Sequence, residues 1–175
     1  MAIELHGACV FITGGAGFVG SHIADQVLDA GAERVVIIDD FVRGRRENLA
    51  GALATERVEV TVGDICDAAL VERIMAGADF VFHQAALRIT QCAEDPVRAL
   101  QVMVTGTQNV IEAALRHKVR KVLAASSASV YGEPTYLPMD EAHPFNNRTL
   151  YGAAKIANEQ MLRAYTEMYG LNYLA

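Results

Sequence analysis

A tyrosine and a lysine four positions apart have the types and the spacing that could do chemistry. In a helix, Tyr151 and Lys155 would lie one turn apart on the same face. A free tyrosine, with a pKa of ~10, is a poor base at neutral pH, but a nearby cation favours its phenolate. The pair could therefore accept and return a proton, although the same spacing is also found in ordinary surface pairs.

A run of small hydroxyl residues precedes this pair. Residues 122–125 have the apolar pattern of a buried strand, and Ser126, Ser127 and Ser129 follow them. Open α/β sheets bind their ligands at the carboxyl ends of the strands. A serine there could donate a hydrogen bond to a substrate oxygen while Tyr151 handles the proton. Taken alone, these residues would be ordinary turn serines.

Glycines near the start of the chain are spaced for binding phosphate. The pattern Gly14-x-x-Gly17-x-x-Gly20, which overlaps a second pattern beginning at Gly15, separates an apolar run from an amphipathic helical pattern. Glycines permit the tight turn, the approach of backbone to a pyrophosphate and close packing of helix on strand. Free N–H groups at the helix start would then face the phosphates. A glycine-rich turn without a ligand is the alternative.

An acidic residue ends the next apolar run and favours a dinucleotide. Asp39 follows the glycines by about 20 residues, where a ribose hydroxyl needs an acceptor. Arg43, Arg45 and Arg46 lie close by and could suggest a 2′-phosphate, but the carboxylate would repel one. We therefore predict NAD as the cofactor in preference to NADP.

Composition limits the classes of partner. The net charge of −6 argues against binding of nucleic acid, which needs clustered lysine and arginine. The three cysteines are widely spaced, which favours a reducing compartment and neither a disulfide framework nor a metal site. No apolar run reaches the ~18 residues of a membrane span, and no signal-peptide pattern is present. We expect a cytoplasmic protein without a membrane or metal partner.

Strand-like and helical patterns alternate along the whole chain, which is typical of a parallel sheet with helices on both faces. The fold class is therefore α/β, a Rossmann-type doubly wound sheet. Strands are predicted near 8–13, 34–39, 57–62, 79–84 and 119–126. Helices are predicted at 18–30, 46–53, 67–76, 95–117 and 149–169.

Two stretches do not follow this alternation. Residues 132–148 contain three prolines and little periodicity, so we expect a long loop, which in a compact domain is usually functional. Residues 171–175 have the pattern of a further strand that stops short. We expect residues 1–175 to be one NAD-binding domain, the N-terminal part of a longer protein.

Taken together, these motifs resemble those of the extended short-chain dehydrogenase/reductases, in particular the NAD-dependent nucleotide-sugar epimerases and dehydratases. The resemblance covers the whole chain and rests on six segments in the family's order: 13–20, Asp39-Asp40, 63–65, 83–86, 126–132 and Tyr151-x-x-x-Lys155. It implies that the C-terminal substrate domain of the longer protein is absent from these 175 residues.

The resemblance implies a role for each matching residue. It implies catalytic roles for Ser127, Tyr151 and Lys155. It implies a cofactor site made of Gly14, Gly17, Phe18, Val19, Gly20, Asp39, Asp40, Arg43, Asp64, Ile65, Gln84, Ala85, Ala86, Arg88, Tyr151 and Lys155. Within this set, the amides of Phe18 and Val19 would meet the pyrophosphate, and Asp64 and Ile65 would lie at the adenine. Arg88 would meet a phosphate of the cofactor or substrate, or an acidic sugar.

The resemblance also favours one reaction over its neighbours. Dehydratases of the family carry acidic residues just after the catalytic hydroxyl, where this chain has Ala128 and Ser129. We therefore expect epimerisation at C4 of a nucleotide sugar, with UDP-hexose favoured, through transient oxidation to a 4-keto sugar. The alternatives are a 4,6-dehydratase, a 4-keto reductase or a non-catalytic NAD-binding protein.

Two further expectations come from the helical regions. Met103 stands where the family often has asparagine, so a polar contact near the cofactor should be absent, since methionine is no donor. The apolar residues of helices 95–117 and 149–169, together with the resemblance, predict a homodimer built on a four-helix bundle.

Overall fold

Six parallel strands form the centre of the computed structural model, which describes residues 5–175. The strands are β1 (Cys9–Thr13), β2 (Arg34–Asp39), β3 (Val58–Val62), β4 (Phe80–His83), β5 (Lys121–Ala124) and β6 (Tyr173–Leu174). Their order across the sheet is β3-β2-β1-β4-β5-β6, and every neighbouring pair is parallel. The order reverses between β1 and β4, which opens a crevice at their carboxyl ends. The predicted Rossmann-type fold is confirmed.

Helices cover both faces of this sheet. They are α1 (Phe18–Asp29), α2 (Ala50–Leu53), α3 (Ala68–Ile74), α4 (Ile89–Glu94), α5 (Pro96–Leu100), α6 (Thr107–Arg116) and α7 (Leu150–Tyr169). Short 3₁₀ turns lie at Arg46–Leu49 and Ala128–Val130, and a π turn at Gln101–Gly106 joins α5 to α6. The side chains of α1 and α2 pack in one apolar cluster, and those of α3, α6 and α7 pack in the other.

The central strands are buried on both faces, which explains their continuous apolar runs. Val10, Phe11 and Ile12 of β1 are each fully buried, with side chains that alternate between the two clusters. This double burial holds the carboxyl ends of β1 and β4 in place and so positions the residues that follow them.

Several predicted boundaries are correct because local residues set them. Asp95 accepts a hydrogen bond from the amide of Arg98 and is followed by Pro96, as expected at a helix start. Gly170 ends α7 with φ of +73°, a left-handed conformation that favours glycine. The stretch from the 3₁₀ turn at Ala128–Val130 to α7 contains no regular element, as predicted for residues 132–148.

Other predictions about elements need correction. The strand predicted at 119–126 is shorter, Lys121–Ala124, because the chain turns away from β4 after the amide of Ala125 bonds to the carbonyl of His83. The helix predicted at 95–117 contains the π turn, where a Cβ on Gly106 would lie 2.7 Å from Cγ1 of Ile65. Helix α4 was not predicted. It starts where the side chain of Gln91 accepts a hydrogen bond from the amide of Arg88.

Residues 5–175 contain neither a helix fit to span a membrane nor a cluster fit to hold a metal ion. No helix there combines the length and the apolar character needed to cross a membrane. In the same residues, no group of three or more histidine, cysteine or acidic side chains is arranged to hold a metal ion.

Candidate functional site

The glycine-rich turn between β1 and α1 leaves room for a ligand at the helix start. Gly14 has φ of +67°, and a Cβ there would lie 2.8 Å from the amide nitrogen of Ala85. A Cβ on Gly20 would overlap the carbonyl of Gly14. The amides of Phe18 and Val19 lie in the first turn of α1, where backbone N–H groups have no acceptor within the helix. No side chain caps this helix start at Gly17. The turn is therefore built to accept an anionic group at these amides.

Asp39 lies at the carboxyl end of β2, beside this turn. Its Oδ2 accepts a hydrogen bond from the amide of Ala16 and its Oδ1 one from the amide of Phe41, each at 2.9 Å. Burial raises the pKa of the Asp39 carboxyl, although these backbone donors oppose the rise. Each oxygen keeps a lone pair for a ribose hydroxyl.

A cleft of about 230 Å³ follows the carboxyl ends of the strands next to these groups. Eleven of the predicted cofactor residues line it: Gly14, Gly17, Phe18, Asp39, Asp40, Arg43, Asp64, Ile65, Gln84, Ala85 and Ala86. Seven residues that were not predicted also line it: Ile38, Val42, Gly44, Gly63, Leu87, Gln91 and Val102. Most of these seven adjoin predicted positions. Gln91 and Val102 had no signal in the sequence, because α4 and the π turn bring them to the cleft.

Five predicted cofactor residues do not line it: Val19, Gly20, Arg88, Tyr151 and Lys155. Val19 is exposed in the first turn of α1, and Gly20 is buried beneath that turn. Arg88 is exposed at the start of α4. Its contact with a phosphate stays a prediction.

Tyr151 and Lys155 share one face of α7, as their spacing predicted. The Nζ of Lys155 donates a hydrogen bond to the carbonyl of Ala125 at 2.5 Å and lies 6.0 Å from the centre of the Tyr151 ring. Lys155 is only 4% exposed, and this burial lowers its pKa from 10.5 to about 8, with Glu159 opposing the change. A cation is thus held between the end of β5 and the tyrosine.

Ser127 lies in the segment that Lys155 contacts, two residues after Ala125. It caps the 3₁₀ turn, where its Oγ accepts a hydrogen bond from the amide of Ser129 at 3.1 Å. This turn packs on the first turn of α7, since a Cβ on Gly152 would lie 2.6 Å from the carbonyl oxygen of Ser129. The fold therefore brings the segments of Ser127, Tyr151 and Lys155 together at one end of the sheet.

A buried histidine beneath the cleft was part of a recognised motif but had no assigned role. His83 Nδ1 lies 2.7 Å from Oγ1 of Thr13, and its Nε2 lies 2.9 Å from Oγ1 of Thr107. Thr13 Oγ1 also accepts the amides of Gln84 and Ala85, so its own proton must go to Nδ1. The hydroxyl of Thr107 donates to the carbonyl of residue 103, so it accepts from Nε2.

These contacts define the protonation of His83. The ring is neutral, with its proton on Nε2, and both ring nitrogens are bonded. Burial, and secondarily the charge of Lys155, lowers the pKa of His83 to about 3. His83 thus joins the end of β1, the loop after β4 and the start of α6.

Met103 makes a hydrogen bond of its own where the family's usual polar contact was expected to be absent. Its side chain is 1% exposed, and its Sδ accepts a hydrogen bond from the amide of Leu87 at 3.2 Å. The thioether therefore holds the loop after β4 as an acceptor, although it donates nothing.

Similarity to known proteins identifies one family. The model of the NAD dependent epimerase/dehydratase family matches residues 10–175. A UDP-glucose 4-epimerase of Mycolicibacterium smegmatis is 38% identical over 164 residues, which make up 92% of this chain and 52% of that protein. The chain spans about half the length of the curated relatives it matches.

Two solved structures extend the likeness to three dimensions. A UDP-N-acetylglucosamine 4-epimerase from Methanobrevibacter ruminantium M1, in complex with UDP-N-acetylmuramic acid, superposes with a TM-score of 0.90 at 34% identity over 96% of this chain and 53% of that one. A dTDP-glucose 4,6-dehydratase from Streptomyces venezuelae, with NAD bound, gives a TM-score of 0.88 at 32% identity over 94% of this chain and 53% of that one. With its glycine turn, its acid at the end of β2 and its tyrosine and lysine on α7, the chain belongs to the NAD dependent epimerase/dehydratase family.

Proposed function

We propose that the protein is an NAD-dependent nucleotide-sugar 4-epimerase whose substrate is a UDP-hexose. The observation that carries this proposal is the placement of Ser127, Tyr151 and Lys155 at the end of the sheet that also holds the dinucleotide cleft. Relatives described as UDP-glucose 4-epimerases support the reaction and the substrate class.

The residues of the cleft fit NAD. The uncapped amides at the start of α1 would hold the pyrophosphate, Asp39 the adenosine ribose, and Asp64 with Ile65 the adenine. The buried carboxylate of Asp39 would repel a 2′-phosphate, which supports NAD over NADP. When bound, NAD supplies the acceptor and then the donor for the hydride at C4 of the sugar.

The chain's own groups would handle the proton and the sugar oxygen. Tyr151 would accept the proton of the 4-hydroxyl during oxidation and return it during reduction. Ser127 would hydrogen-bond the same oxygen and keep it near Tyr151. Lys155, whose ammonium is buried between the end of β5 and the Tyr151 ring, would supply positive charge that stabilises the phenolate.

A dehydratase is the second candidate because a 4,6-dehydratase is among the similar structures. Elimination of water needs a proton donor and a proton acceptor in addition to the groups that act on the 4-hydroxyl. Here Ala128 and Ser129 occupy the positions after Ser127, and neither is an acid. This supports the epimerase over the dehydratase.

The test is a product analysis with a matched pair of variants in the full-length protein. Incubation with UDP-glucose, UDP-N-acetylglucosamine and UDP-glucuronate should give the C4 epimer of at least one. Tyr151→Phe should lower the rate by roughly 10²–10⁴, the usual worth of a positioned acid–base group. Tyr169→Phe, at an exposed position on the same helix, should leave the rate unchanged.

Three outcomes would contradict the proposal. A 4-keto-6-deoxy product would indicate the dehydratase, and a 4-keto sugar that is reduced only at the expense of added NADH would indicate the reductase. Binding of NAD without conversion of any sugar would indicate the non-catalytic alternative.

Three further expectations belong to this proposal. Residues 1–175 would form one NAD-binding domain that binds NAD but does not epimerise by itself, which assay of the separate chain would test. The family resemblance and the exposed apolar residues of α5 and α7 support a homodimer. The cysteines Cys9, Cys66 and Cys92 are unpaired, which supports a reducing, cytoplasmic location.

A further inference from the structure

Arg98, on α5, contacts one of the residues that line the cofactor cleft. One guanidinium nitrogen, Nη2, donates to Oδ2 of Asp64, and the other, Nη1, lies 3.6 Å from Sγ of Cys66. The other oxygen of Asp64, Oδ1, accepts the amide of Cys66 at 2.8 Å. Asp64 lines the cleft, whereas Arg98 does not.

The backbone around Asp64 is held independently of Arg98. The side-chain amide of Asn109 donates to the carbonyls of Ile65 and Cys66, at 3.0 and 3.2 Å. The thiol of Cys66, whose pKa burial raises to about 11, donates to the carbonyl of Gln101 at 3.3 Å. The loop should therefore keep its course without Arg98, so the role of Arg98 concerns the carboxylate itself.

The electrostatic effect of this contact is favourable to the charged form of Asp64. Burial raises the pKa of the Asp64 carboxyl, but hydrogen bonds from the amide of Cys66 and from Arg98 outweigh it, and the pKa lies below its ordinary value. A carboxylate has about four lone pairs, so Asp64 can accept a further donor from the cleft while it is held.

We propose that Arg98 is a positioning residue that orients Asp64 towards the amino group of the cofactor's adenine and so selects adenine over hypoxanthine. The proposal rests on the placement of adenine at Asp64 in the proposed function. Adenine offers an N6 amino donor to a carboxylate. Hypoxanthine has an oxygen at that position, which a carboxylate, being an acceptor only, repels.

Calorimetry with NAD and nicotinamide hypoxanthine dinucleotide tests this in the full-length protein. Arg98→Met should raise the Kd for NAD by about 3- to 10-fold, a modest factor because both side chains are about a third exposed. The preference for NAD over the hypoxanthine dinucleotide should fall by a similar factor. Arg98→Lys should retain part of the affinity for NAD and part of the preference for NAD, since lysine keeps the charge but not the planar donor pair.

Arg116 provides a matched control, because α6 follows α5 and the π turn without a break. Arg116, at the end of α6, pairs with Glu72 and Glu112 on the surface. Arg116→Met removes these two exposed ion pairs and should change neither the Kd for NAD nor the Kd for the hypoxanthine dinucleotide. In Arg98→Met, the loss of NAD affinity on acidification should also begin at a higher pH than in the unmodified protein, because Asp64 has lost a partner that keeps it ionised.

Asp64→Asn separates the possible failures. If the unmodified protein prefers NAD and Asp64→Asn loses that preference while Arg98→Met keeps it, the role of Arg98 is wrong and the adenine site stands. If Asp64→Asn keeps the preference, the placement of adenine is wrong and the inference fails with it, whereas the epimerase activity stays open to its own test. Tighter binding of NAD by Arg98→Met would show that Arg98 competes with adenine, which also overturns the inference.

Discussion

At the scale of single residues, the part of α7 that carries the proposed catalytic residues holds a buried charge. Lys155 is almost fully buried, and one backbone carbonyl, that of Ala125, accepts from its ammonium. The carboxylate of Glu159 raises the lysine's pKa only enough to offset part of the effect of burial. Burying an ammonium with so few partners costs stability. This cost supports the proposed catalytic role of Lys155, because packing alone gives no reason for the charge.

Lys155→Met should accordingly stabilise the protein without cofactor in a pH-dependent way. Below about pH 8 the folded and unfolded chains both carry the proton, and the cost of burial is full. Between about pH 8 and 10.5 the unfolded chain binds more protons, so the cost disappears as pH rises. The free energy of unfolding should increase by up to about 3 kcal/mol at pH 7, and the increase should vanish near pH 10.5.

Urea unfolding of both proteins between pH 6 and about pH 10 measures this gain. Arg163→Met, at an exposed position on the same helix, is the control and should show a small change that does not vary with pH. A stability difference between Lys155→Met and the unmodified protein that is the same at every pH would contradict the prediction.

At the scale of elements, His83 is the residue that ties separate parts of the site together. Its neutral ring bridges Thr13 at the end of β1 and Thr107 at the start of α6. Thr13 in turn holds the amides of Gln84 and Ala85, which line the cleft. The position of the cleft wall after β4 therefore depends on this side chain.

His83→Gln should lower the free energy of unfolding at neutral pH. It should also make that free energy fall less steeply as the pH is lowered. The folded-state pKa of His83 is about 3 against 6.5 normally, so between these values the unfolded chain binds more protons and stability falls as pH falls. Glutamine keeps one donor and one acceptor but fits the bridge less well, which should cost about 1–3 kcal/mol at pH 7.

Unfolding free energies between pH 4 and pH 8 test this expectation. His22→Gln, on the exposed surface of α1, serves as the comparison. The prediction is wrong if His83→Gln loses stability on acidification as steeply as the unmodified protein does.

At the scale of the whole molecule, α5 and α7 leave apolar side chains uncovered on the same side of the sheet. Val97 and Leu100 of α5 and Met168 of α7 are 68%, 48% and 67% exposed. These two helices contact one another, so apolar side chains are exposed on both members of a packed pair. Such a surface is typical of an interface between copies related by a two-fold axis.

The full-length protein should therefore sediment as a dimer at micromolar concentration. Replacing both Val97 and Leu100 with lysine should shift it to the monomer, because four charges would meet across the two-fold axis. Val62→Lys changes an exposed apolar residue on the edge strand β3 and should leave the dimer intact. A monomeric unmodified protein would remove the proposal of a dimer.

Patterns between near neighbours in sequence were enough for the fold and for much of the cleft. The glycine turn, the acid at the end of β2, the cap at Asp95 and the left-handed Gly170 depend on a few adjacent residues. The strands were predicted because apolar runs buried on both faces differ plainly from amphipathic helices. Such features are determined locally, and the structure contains them where they were predicted.

Contacts between distant residues were decided only by the tertiary structure. His83 meets Thr13 across 70 positions, and Arg98 meets Asp64 across 34. Met103 accepts the amide of Leu87 because the π turn brings its sulfur to that loop. The periodicity of apolar residues in the sequence does not predict these partners, because they depend on which segments the strand order places side by side. The shifts in the pKa of Lys155 and His83 follow from burial, which also exists only in the folded chain.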